Sequence, residues 1–340
     1  MDIKQAINKV VEKKSLTETE SFEIMNKMMS GEASPAQIGA FITALRMKGE
    51  TIEEITGMAK SMRKFAQNIT PQHEHLVDTC GTGGDHSGTF NVSTTASFIA
   101  AGAGVAIAKH GNRSVTSKSG SADVLEALGI KIDLKPAQVE ECINKVGIGF
   151  MFAPIFHGAM KHAIGPRKEI GIRTVFNILG PLTNPAHATG HLLGVFSKDI
   201  VDKMAEVLKN VGVQHAFIVN GEGNLDEISI TGLTNVAHIK DGKIKKETID
   251  PEKLGFKKAK SLADIKGFDA KKNAEIVLEI LSNKKPGPYT DISILNAAAV
   301  IVAGNKAKNL ADGVKLAKQS IKSGAALAKL NSMIEFTNKC

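Results

Sequence analysis

The chain contains no tryptophan, one tyrosine and only three cysteines among its 340 residues. Such a small, odd number of cysteines argues against a disulfide-stabilised scaffold and indicates a reducing compartment. The scarcity of large aromatic rings argues against a protein that stacks the bases of single-stranded nucleic acid. No uninterrupted apolar run reaches the length of a membrane span. A globular protein remains, and 42% hydrophobic residues are enough for a sizeable core.

The N-terminus also lacks a secretion signal. Residues 1–14, MDIKQAINKVVEKK, are charged and amphipathic, with no apolar central segment and no small-residue cleavage site. We therefore expect a cytoplasmic protein that does not associate with a membrane. The formal net charge of +8 invites a nucleic-acid interpretation, but the lysines are spread along the chain, which is more typical of a solvated basic surface.

The most informative segment is residues 78–94, DTCGTGGDHSGTFNVST, which we call the first glycine loop. Its glycines leave backbone amides unshielded, and its serine, threonine and asparagine side chains add short donors. A helix that starts in NVSTTASFIAA would add its positive N-terminal end, so the segment is typical of a phosphate site. It matches neither the GxxxxGK[ST] nor the GxGxxG pattern, and a plain tight turn is the alternative.

A second segment, residues 109–129, reads KHGNRSVTSKSGSADVLEALG and follows a small-residue apolar stretch, Ala100 to Ala108, that predicts a buried strand. We call residues 109–121 the basic loop. Its cations and hydroxyls match a polyanion, although Ser121 and Asp123 could simply cap the next helix and the cations could face solvent. Two loops of this chemistry predict a ligand that carries more than one phosphate group.

Asp226 and Glu227 are the candidate metal ligands. They end the loop NGEGNL, where the backbone can turn both carboxylates toward one site, although a solvated acidic loop is the alternative. Hard oxygen ligands beside a pyrophosphate favour Mg²⁺, and no His/Cys cluster has the spacing of a zinc site. Cys80 lies in the first glycine loop, but no partner histidine signature marks it as a nucleophile.

The order of elements predicts an α/β protein with a helical N-terminal part. Ser34-Pro35 and Thr51 with Glu54 are typical helix starts, and Gly49 is a typical helix stop, so about the first 65 residues form short helices. From Leu76 onward, apolar runs alternate with helical stretches, which predicts βαβ units around a largely parallel sheet. Both loops follow strand candidates, so we expect them at one end of that sheet.

Five motifs in one order resemble those of the anthranilate phosphoribosyltransferase family. They are DTCGTGGD, FNVST, KHGNRSVTSKSGSADVLEALG, FMFAPIFHGAMKHAIGPRKEIGIRTVFNILGPLTNPA and LDEIS, and the resemblance covers almost the whole chain. His86 and Gly158 stand where a glycine and a proline are expected, and Asn224 stands where a glycine is usual. These departures affect local loop shape rather than residues assigned to the chemistry.

The resemblance implies transfer of a ribose phosphate from 5-phosphoribosyl 1-pyrophosphate (PRPP) to the amine of anthranilate in tryptophan biosynthesis. It implies no acid, base or covalent nucleophile, because Mg²⁺, two ions per subunit, assists the leaving group. Metal binding is implied for Ser93, Asp226 and Glu227, and anthranilate binding for Gly81, Asn112 and Arg167. Arg167 could instead form an ion pair with Glu169. The implied donor-binding residues are Gly81, Gly84, Asp85, Thr89, Asn91, Val92, Ser93, Thr94, Lys109, His110, Gly111, Asn112, Arg113, Ser114, Val115, Thr116, Ser117 and Ser121.

The resemblance also implies two domains with the active site in the cleft between them. Residues 1–66 form a small helical domain, to which a helical segment at about 165–188 returns, and the rest of residues 74–340 form the larger α/β domain with a mainly parallel sheet. Apolar residues recur at helical spacing in the helical domain, including Ile24, Met25, Met28 and Met29. Core packing is the default interpretation of this methionine stripe, but the resemblance favours the interface of a homodimer.

Two alternatives stay open at this point. A pyrimidine nucleoside phosphorylase of related fold also binds phosphate and ribose, but it has no evident use for Asp226 and Glu227. A nucleic-acid-binding paralogue of the same fold is expected to lose the metal carboxylates or Arg167, and this chain has all three residues.

Overall fold

The computed structural model of the protein describes residues 1–114 and 118–340. Four helices occupy the N-terminal part of the chain. They are α1 (Ile3–Val11), α2 (Glu18–Met29), α3 (Pro35–Lys48) and α4 (Ile52–Phe65). The predicted helix boundaries are confirmed, since Thr51 Oγ1 accepts from the Glu54 amide at 3.2 Å while the Glu54 carboxylate accepts from the Thr51 amide at 2.8 Å. Ser34 caps α3 in the same way, and Gly49 ends it at φ 88°.

A seven-stranded sheet forms the second part of the fold, as predicted. Strands β1 to β5 are parallel, whereas β6 and β7 add antiparallel at one edge, in the order β3-β2-β1-β4-β5-β6-β7. The strands are β1 (Leu76–Thr79), β2 (Ala106–Gly111), β3 (Ile148–Phe152), β4 (Gly190–Gly194), β5 (His215–Gly221), β6 (Thr234–Lys240) and β7 (Lys243–Ile249).

Helices connect and cover the strands. In chain order they are α5 (Val92–Gly102), α6 (Ser121–Ala127), α7 (Pro136–Val146), α8 (Ala153–Phe156), α9 (Lys161–Ile170), α10 (Phe176–Leu179), α11 (Val201–Asn210), α12 (Ala270–Leu281), α13 (Pro288–Ala303), α14 (Leu310–Lys322) and α15 (Ala325–Lys339). α13 and α5 pack against each other in one apolar core, whereas α11 packs between the sheet and the N-terminal helices in another. Within the described residues, no helix has both the length and the apolar composition needed to cross a membrane.

The predicted strand over Ala100 to Ala108 is wrong in its first half. α5 continues through Gly102, and β2 begins only at Ala106. The alanine-rich run suits a buried helix as well as a buried strand, so the existing helix extends to the turn at Gly104, where φ is 88°.

The segment expected to be one helical stretch near 165–188 is interrupted. α9 ends at Ile170, followed by the cap residue Gly171 with a left-handed φ of 64°, and α10 begins only at Phe176. The five residues between the two helices form a linker, and α9 packs against α2 and α3.

The interpretation of the methionine stripe as a subunit interface is also wrong. Ile24, Met25, Met28 and Met29 are at most 3% exposed within the single chain, because α2 packs against α4 and shares an apolar core with α11. These side chains are therefore core residues and cannot form a contact with another subunit.

Candidate active site

The candidate site lies at the carboxyl edge of the parallel strands. β1 ends at Thr79 and leads into the first glycine loop, while the neighbouring β2 ends at Gly111 within the basic loop. The loop after β5 carries Asp226 and Glu227 to the same edge, since both contact the first glycine loop. The parallel sheet therefore brings together three segments that are distant in sequence.

Glycine is required at several points of the first glycine loop. Gly83, Gly84 and Gly88 have φ angles of 65°, 71° and 64°, which side chains rarely adopt. At Gly81 the constraint is space, because a Cβ atom would lie 2.6 Å from the Asp226 Oδ2 atom. His86 also has a positive φ, 57°, at a position where the family pattern has glycine.

The two adjacent carboxylates accept hydrogen bonds from this loop. The Gly83 amide donates to Asp226 Oδ2 at 2.9 Å, and the Ser93 amide donates to Glu227 Oε1 at 3.0 Å. The Asp226 amide in turn lies 3.4 Å from Asp85 Oδ2. Backbone amides predicted to receive phosphate therefore bind the protein's own carboxylates in this structure.

Desolvation makes the charged form of this half-buried acidic cluster costly. Desolvation, together with the nearby Asp85 carboxylate, raises the pKa of Asp226 to about 7. Desolvation and the neighbouring Asp226 raise the pKa of Glu227 well above its usual range. A cation at this place would relieve both effects.

The donor set fits Mg²⁺. Asp226 and Glu227 offer hard oxygen ligands, and no group of three or more histidine, cysteine or acidic side chains forms a metal cage within residues 1–114 and 118–340. Mg²⁺ characteristically uses one or two protein carboxylates and takes its other ligands from water and substrate phosphate.

Helix α5 begins directly after the loop. Asn91 is its N-cap residue, and Val92, Ser93 and Thr94 form its first turn. The Ser93 amide faces the site, where it donates to Glu227, whereas the Val92 amide donates to the Phe90 carbonyl at 2.8 Å. Asn91 also links this helix start to the basic loop, since its Nδ2 donates to the Ser119 carbonyl at 3.2 Å. Thr89 forms a bridge to Lys266.

Lys109 is the buried cation of the basic loop, at 3% exposure. Its Nζ donates to the carbonyl and the hydroxyl of Thr79, and burial lowers its pKa. The next amide, that of His110, donates to Asp78 Oδ1 at 3.0 Å. Lys109 therefore lies where β1 and β2 meet, immediately behind the first glycine loop.

Arg113 does not face a phosphate site in this structure. Its guanidinium pairs with Asp123 and Glu126, each at 2.9 Å, and the side chain is about half exposed. Asn112 Oδ1 accepts from the Arg113 amide, and the Ser121 hydroxyl donates to the Asn112 carbonyl at 3.3 Å. Asp123 also accepts from the amides of Ser114 and Gly120, so it caps α6, and Ser121 is the first residue of that helix rather than its cap.

Three predicted donor-binding residues, Val115, Thr116 and Ser117, lie outside the described residues. Gly111, by contrast, is described, and its place at the end of β2 leaves no room for a side chain. A Cβ atom there would lie 2.3 Å from the Ser121 hydroxyl oxygen and 2.8 Å from the Phe150 ring.

Arg167 lies on α9, with its guanidinium carbon 4.9 Å from the centre of the Phe176 ring. Partial burial lowers its pKa, and it forms no ion pair with Glu169 or with any other acid in the described part of the chain. The alternative role of Arg167, a structural ion pair with Glu169, is therefore absent from this structure. Neither loop hydrogen-bonds to Arg167 among the described residues.

Sequence reasoning missed several groups at this edge of the sheet. Arg173 contacts the first glycine loop, and Asn184 donates to Asp78 Oδ2 at 2.7 Å. His157 was also missed; it is buried with its ring centre 5.0 Å from that of His110, which was predicted to bind the donor, and burial lowers the pKa of His157 to about 4. Arg173 and His157 lie inside the long motif of residues 150–186, and this membership is the feature of the sequence that could have marked them as site residues.

Cys80 is unsuited to nucleophilic chemistry. Burial, reinforced by the Asp78 carboxylate, raises the pKa of its thiol, so the reactive thiolate is disfavoured.

Comparison with protein families agrees with this geometry. Residues 4–66 match the glycosyl transferase family, helical bundle domain, and residues 73–327 match the glycosyl transferase family, a/b domain. An anthranilate phosphoribosyltransferase from Acetivibrio thermocellus is 53% identical over 336 residues, which are 99% of this chain and 97% of the relative. One from Moorella thermoacetica is 52% identical over 98% of this chain and 97% of its own length.

Solved structures give the same match. The anthranilate phosphoribosyltransferase of Thermus thermophilus superposes with a TM-score of 0.93 at 40% identity, covering 98% of this chain and 99% of that one. The enzyme of Saccharomyces cerevisiae in complex with PRPP and Mg superposes with a TM-score of 0.92 at 30% identity, covering 99% and 98%.

Proposed function

The chain belongs to the anthranilate phosphoribosyltransferase family, and from this premise we propose which of its residues bind each substrate. The enzyme transfers the 5-phosphoribosyl group of PRPP to the amine of anthranilate in L-tryptophan biosynthesis, and pyrophosphate leaves. A nucleoside phosphorylase or a nucleic-acid-binding protein is not supported by these relatives.

The donor binds between the first glycine loop and the basic loop. The observation that carries this proposal is the half-buried acidic pair on the amides of Gly83 and Ser93, next to a loop that carries the buried Lys109. The acidic pair favours a cation, whereas Lys109 and the unshielded amides favour an anion, and a magnesium pyrophosphate supplies both. The remaining donor-binding residues are those that the family resemblance implies, from Gly81 to Ser121.

Asp226 and Glu227 would hold Mg²⁺, and the Ser93 hydroxyl would assist a second ion. When bound, Mg²⁺ neutralises charge on the departing pyrophosphate. The amides of Gly83 and Ser93 hold the two carboxylates in this structure, and they would be available to phosphate oxygens if the carboxylates bound metal instead.

Anthranilate binds through its carboxylate to Arg167. An arginine fork matches a carboxylate with two parallel hydrogen bonds, and Arg167 has no acidic partner among the described residues that would compete. Asn112 orients the amine. Gly81 leaves space beside the ring, although its lack of a Cβ atom is also required by Asp226.

The reaction needs no strong base, because the aromatic amine is already neutral near pH 7. The protein positions the amine for attack on the ribose carbon from the side opposite pyrophosphate, so that the carbon–nitrogen bond forms as the carbon–oxygen bond breaks. The nitrogen, acidic once it has formed the new bond, then releases one proton to water or to the departing pyrophosphate. Backbone amides and Lys109 stabilise the negative charge on the leaving oxygens. The site lies in the cleft between domains that we place at 1–66, with 165–188, and at 74–340 without that segment.

We also place a homodimer interface on the helical domain of this cytoplasmic enzyme. The face formed by α3 and α9 is apolar and open to solvent, and Met47 on it is 83% exposed. A second copy of the chain would cover this face, which is lined by Gly39, Ala40, Thr43, Met47, Pro166 and Ile170. Met47→Glu should shift the mass measured by light scattering from dimer to monomer, and an unchanged mass would place the interface elsewhere.

The decisive assay follows the fluorescence of anthranilate. We expect it to disappear only when protein, PRPP and Mg²⁺ are all present. If the signal persists under these conditions, while thymidine or uridine is cleaved with inorganic phosphate, the protein is a nucleoside phosphorylase instead.

A further inference from the structure

Arg173 lies in the five-residue linker between α9 and α10, two residues after the left-handed Gly171. Its guanidinium reaches back to the first glycine loop, although the two segments are 89 residues apart in sequence. There it donates to the Gly84 carbonyl, and its Nη2 lies 3.2 Å from His86 Nε2. The linker and the donor loop are therefore joined through one side chain.

The guanidinium is fixed from its other side as well. Its carbon lies 4.6 Å from the centre of the Phe196 ring, close enough for a cation–π interaction. Phe196 is in turn attached to the loop, because its amide donates to the Thr82 hydroxyl at 3.2 Å and the Thr82 amide donates to the Gly194 carbonyl at 2.9 Å. Arg173 is thus held between the end of β4 and the turn at Gly84.

No described carboxylate pairs with Arg173, so its donors are directed at the loop backbone rather than at an acid. The approach is close enough to require glycine. A Cβ atom at Gly84 would lie 2.5 Å from the Arg173 Nη2 atom. The neighbouring residues of this turn are Gly83, whose amide holds Asp226, and Asp85, whose carboxylate contacts the Asp226 amide.

We propose that Arg173 is a positioning residue for the donor, which holds the Gly83–His86 turn against the linker that follows the Arg167 helix. The inference rests on the proposed function, because it assumes that this turn receives PRPP. Loss of Arg173 would let the turn move, and with it the Gly83 amide and Asp85. The sequence places Arg173 six residues after Arg167, so one segment carries both the acceptor arginine and the residue that sets the donor loop.

The test compares Arg173→Gln, His86→Asn and the double variant in the full-length protein. Asparagine tolerates the left-handed backbone of residue 86 but is too short to replace the imidazole contact. Lys168→Gln is the matched control, since it removes an exposed cation from the same segment. The measurements are the KM for PRPP, the KM for anthranilate, kcat, the Kd for PRPP with Mg²⁺ by calorimetry, and the Tm.

We expect Arg173→Gln to raise the KM and Kd for PRPP about tenfold, with the KM for anthranilate unchanged. We expect His86→Asn to raise them about twofold, and the double variant to match Arg173→Gln alone, because both side chains act through the same turn. The control should behave as the wild type. Arg173→Lys serves in place of Arg173→Gln if the latter does not fold, and it should show the same selective effect on PRPP.

If the wild-type protein transfers the phosphoribosyl group, the proposed function stands. Two results would then still overturn the inference about Arg173. One is a lower Tm or kcat with an unchanged affinity for PRPP, which is the mark of a merely structural arginine. The other is additive effects of the two substitutions, which indicate that Arg173 touches the donor directly rather than through the turn. A wild-type protein without transferase activity would instead refute the proposed function itself.

Discussion

The first glycine loop and the basic loop differ in how their charges are compensated. At the first glycine loop, the half-buried Asp226 and Glu227 accept hydrogen bonds from backbone amides, and desolvation raises the pKa of both carboxyl groups. At the basic loop, Arg113 is already paired with Asp123 and Glu126 near the surface, and Lys109 donates to Thr79. The first loop therefore requires a ligand to supply charge, whereas most of the second loop is balanced without one. We therefore propose that the metal-dependent part of donor binding belongs to the first glycine loop.

The largest effect should come from removing the acidic pair. Asp226→Asn with Glu227→Gln should lower turnover on the order of a thousandfold at ordinary Mg²⁺, because stabilisation of the leaving group by metal is worth several kcal/mol. Steady-state kinetics over a range of Mg²⁺ concentrations checks this, with circular dichroism to confirm folding. Asp250→Asn with Glu252→Gln is the control, since that acidic pair contacts Lys258 outside both loops. Unchanged turnover and Mg²⁺ dependence would refute the metal assignment.

The next-largest effect should distinguish the anthranilate site from the two loops that bind PRPP. Arg167→Ala should weaken the use of anthranilate by about 2 to 4 kcal/mol in kcat/KM, because a partly buried charged partner is lost, while the Kd for PRPP stays the same. Kinetics in anthranilate and calorimetry with PRPP and Mg²⁺ measure the two quantities. Lys168→Ala, at the adjacent exposed position, is expected to change neither. If Arg167→Ala loses affinity for PRPP and keeps that for anthranilate, Arg167 belongs to the phosphate site.

Within the basic loop, the two cations should differ. Lys109→Met should raise the Kd for PRPP by about 10- to 100-fold, since it removes a buried charged donor. Arg113→Ala should raise it by less than about fivefold, because the exposed guanidinium is already compensated by two acids. Calorimetric titration of PRPP into each variant gives the two Kd values and hence their ratio. Equal losses would mean that Arg113 leaves its acidic partners to bind the donor.

The smallest effect concerns stability without ligands. The folded-state pKa of Asp226, about 7, exceeds its ordinary value of 3.8, so folding favours the protonated form and the free energy of unfolding falls as pH rises from about 4 to about 7. Asp226→Asn should therefore raise the free energy of unfolding by at least about 1 kcal/mol at pH 8 in EDTA, and by little at pH 4. Urea unfolding at the two pH values checks this. A destabilised variant at pH 8 would show that the carboxylate is stabilised in its charged form.

Local chemistry explains what could be predicted from the sequence. Capping residues such as Thr51 act on amides three residues away, and parallel strands necessarily bring the loops after β1 and β2 to one edge. The methionine stripe was harder to interpret, because a helical face has the same pattern whether a neighbouring helix or another subunit covers it. The contact of Arg173 with Gly84 could not be predicted either, since it depends on how the linker after Gly171 turns.

Calorimetric titration of PRPP into the protein, with Mg²⁺ and then with EDTA, tests the central claim most directly. We predict strong binding with Mg²⁺ and a large loss of affinity in EDTA, and a Kd that no longer depends on Mg²⁺ once Asp226→Asn and Glu227→Gln are introduced. Equal affinity of the unaltered protein for PRPP with Mg²⁺ and with EDTA would contradict the account, because the acidic pair would then have no part in binding the donor.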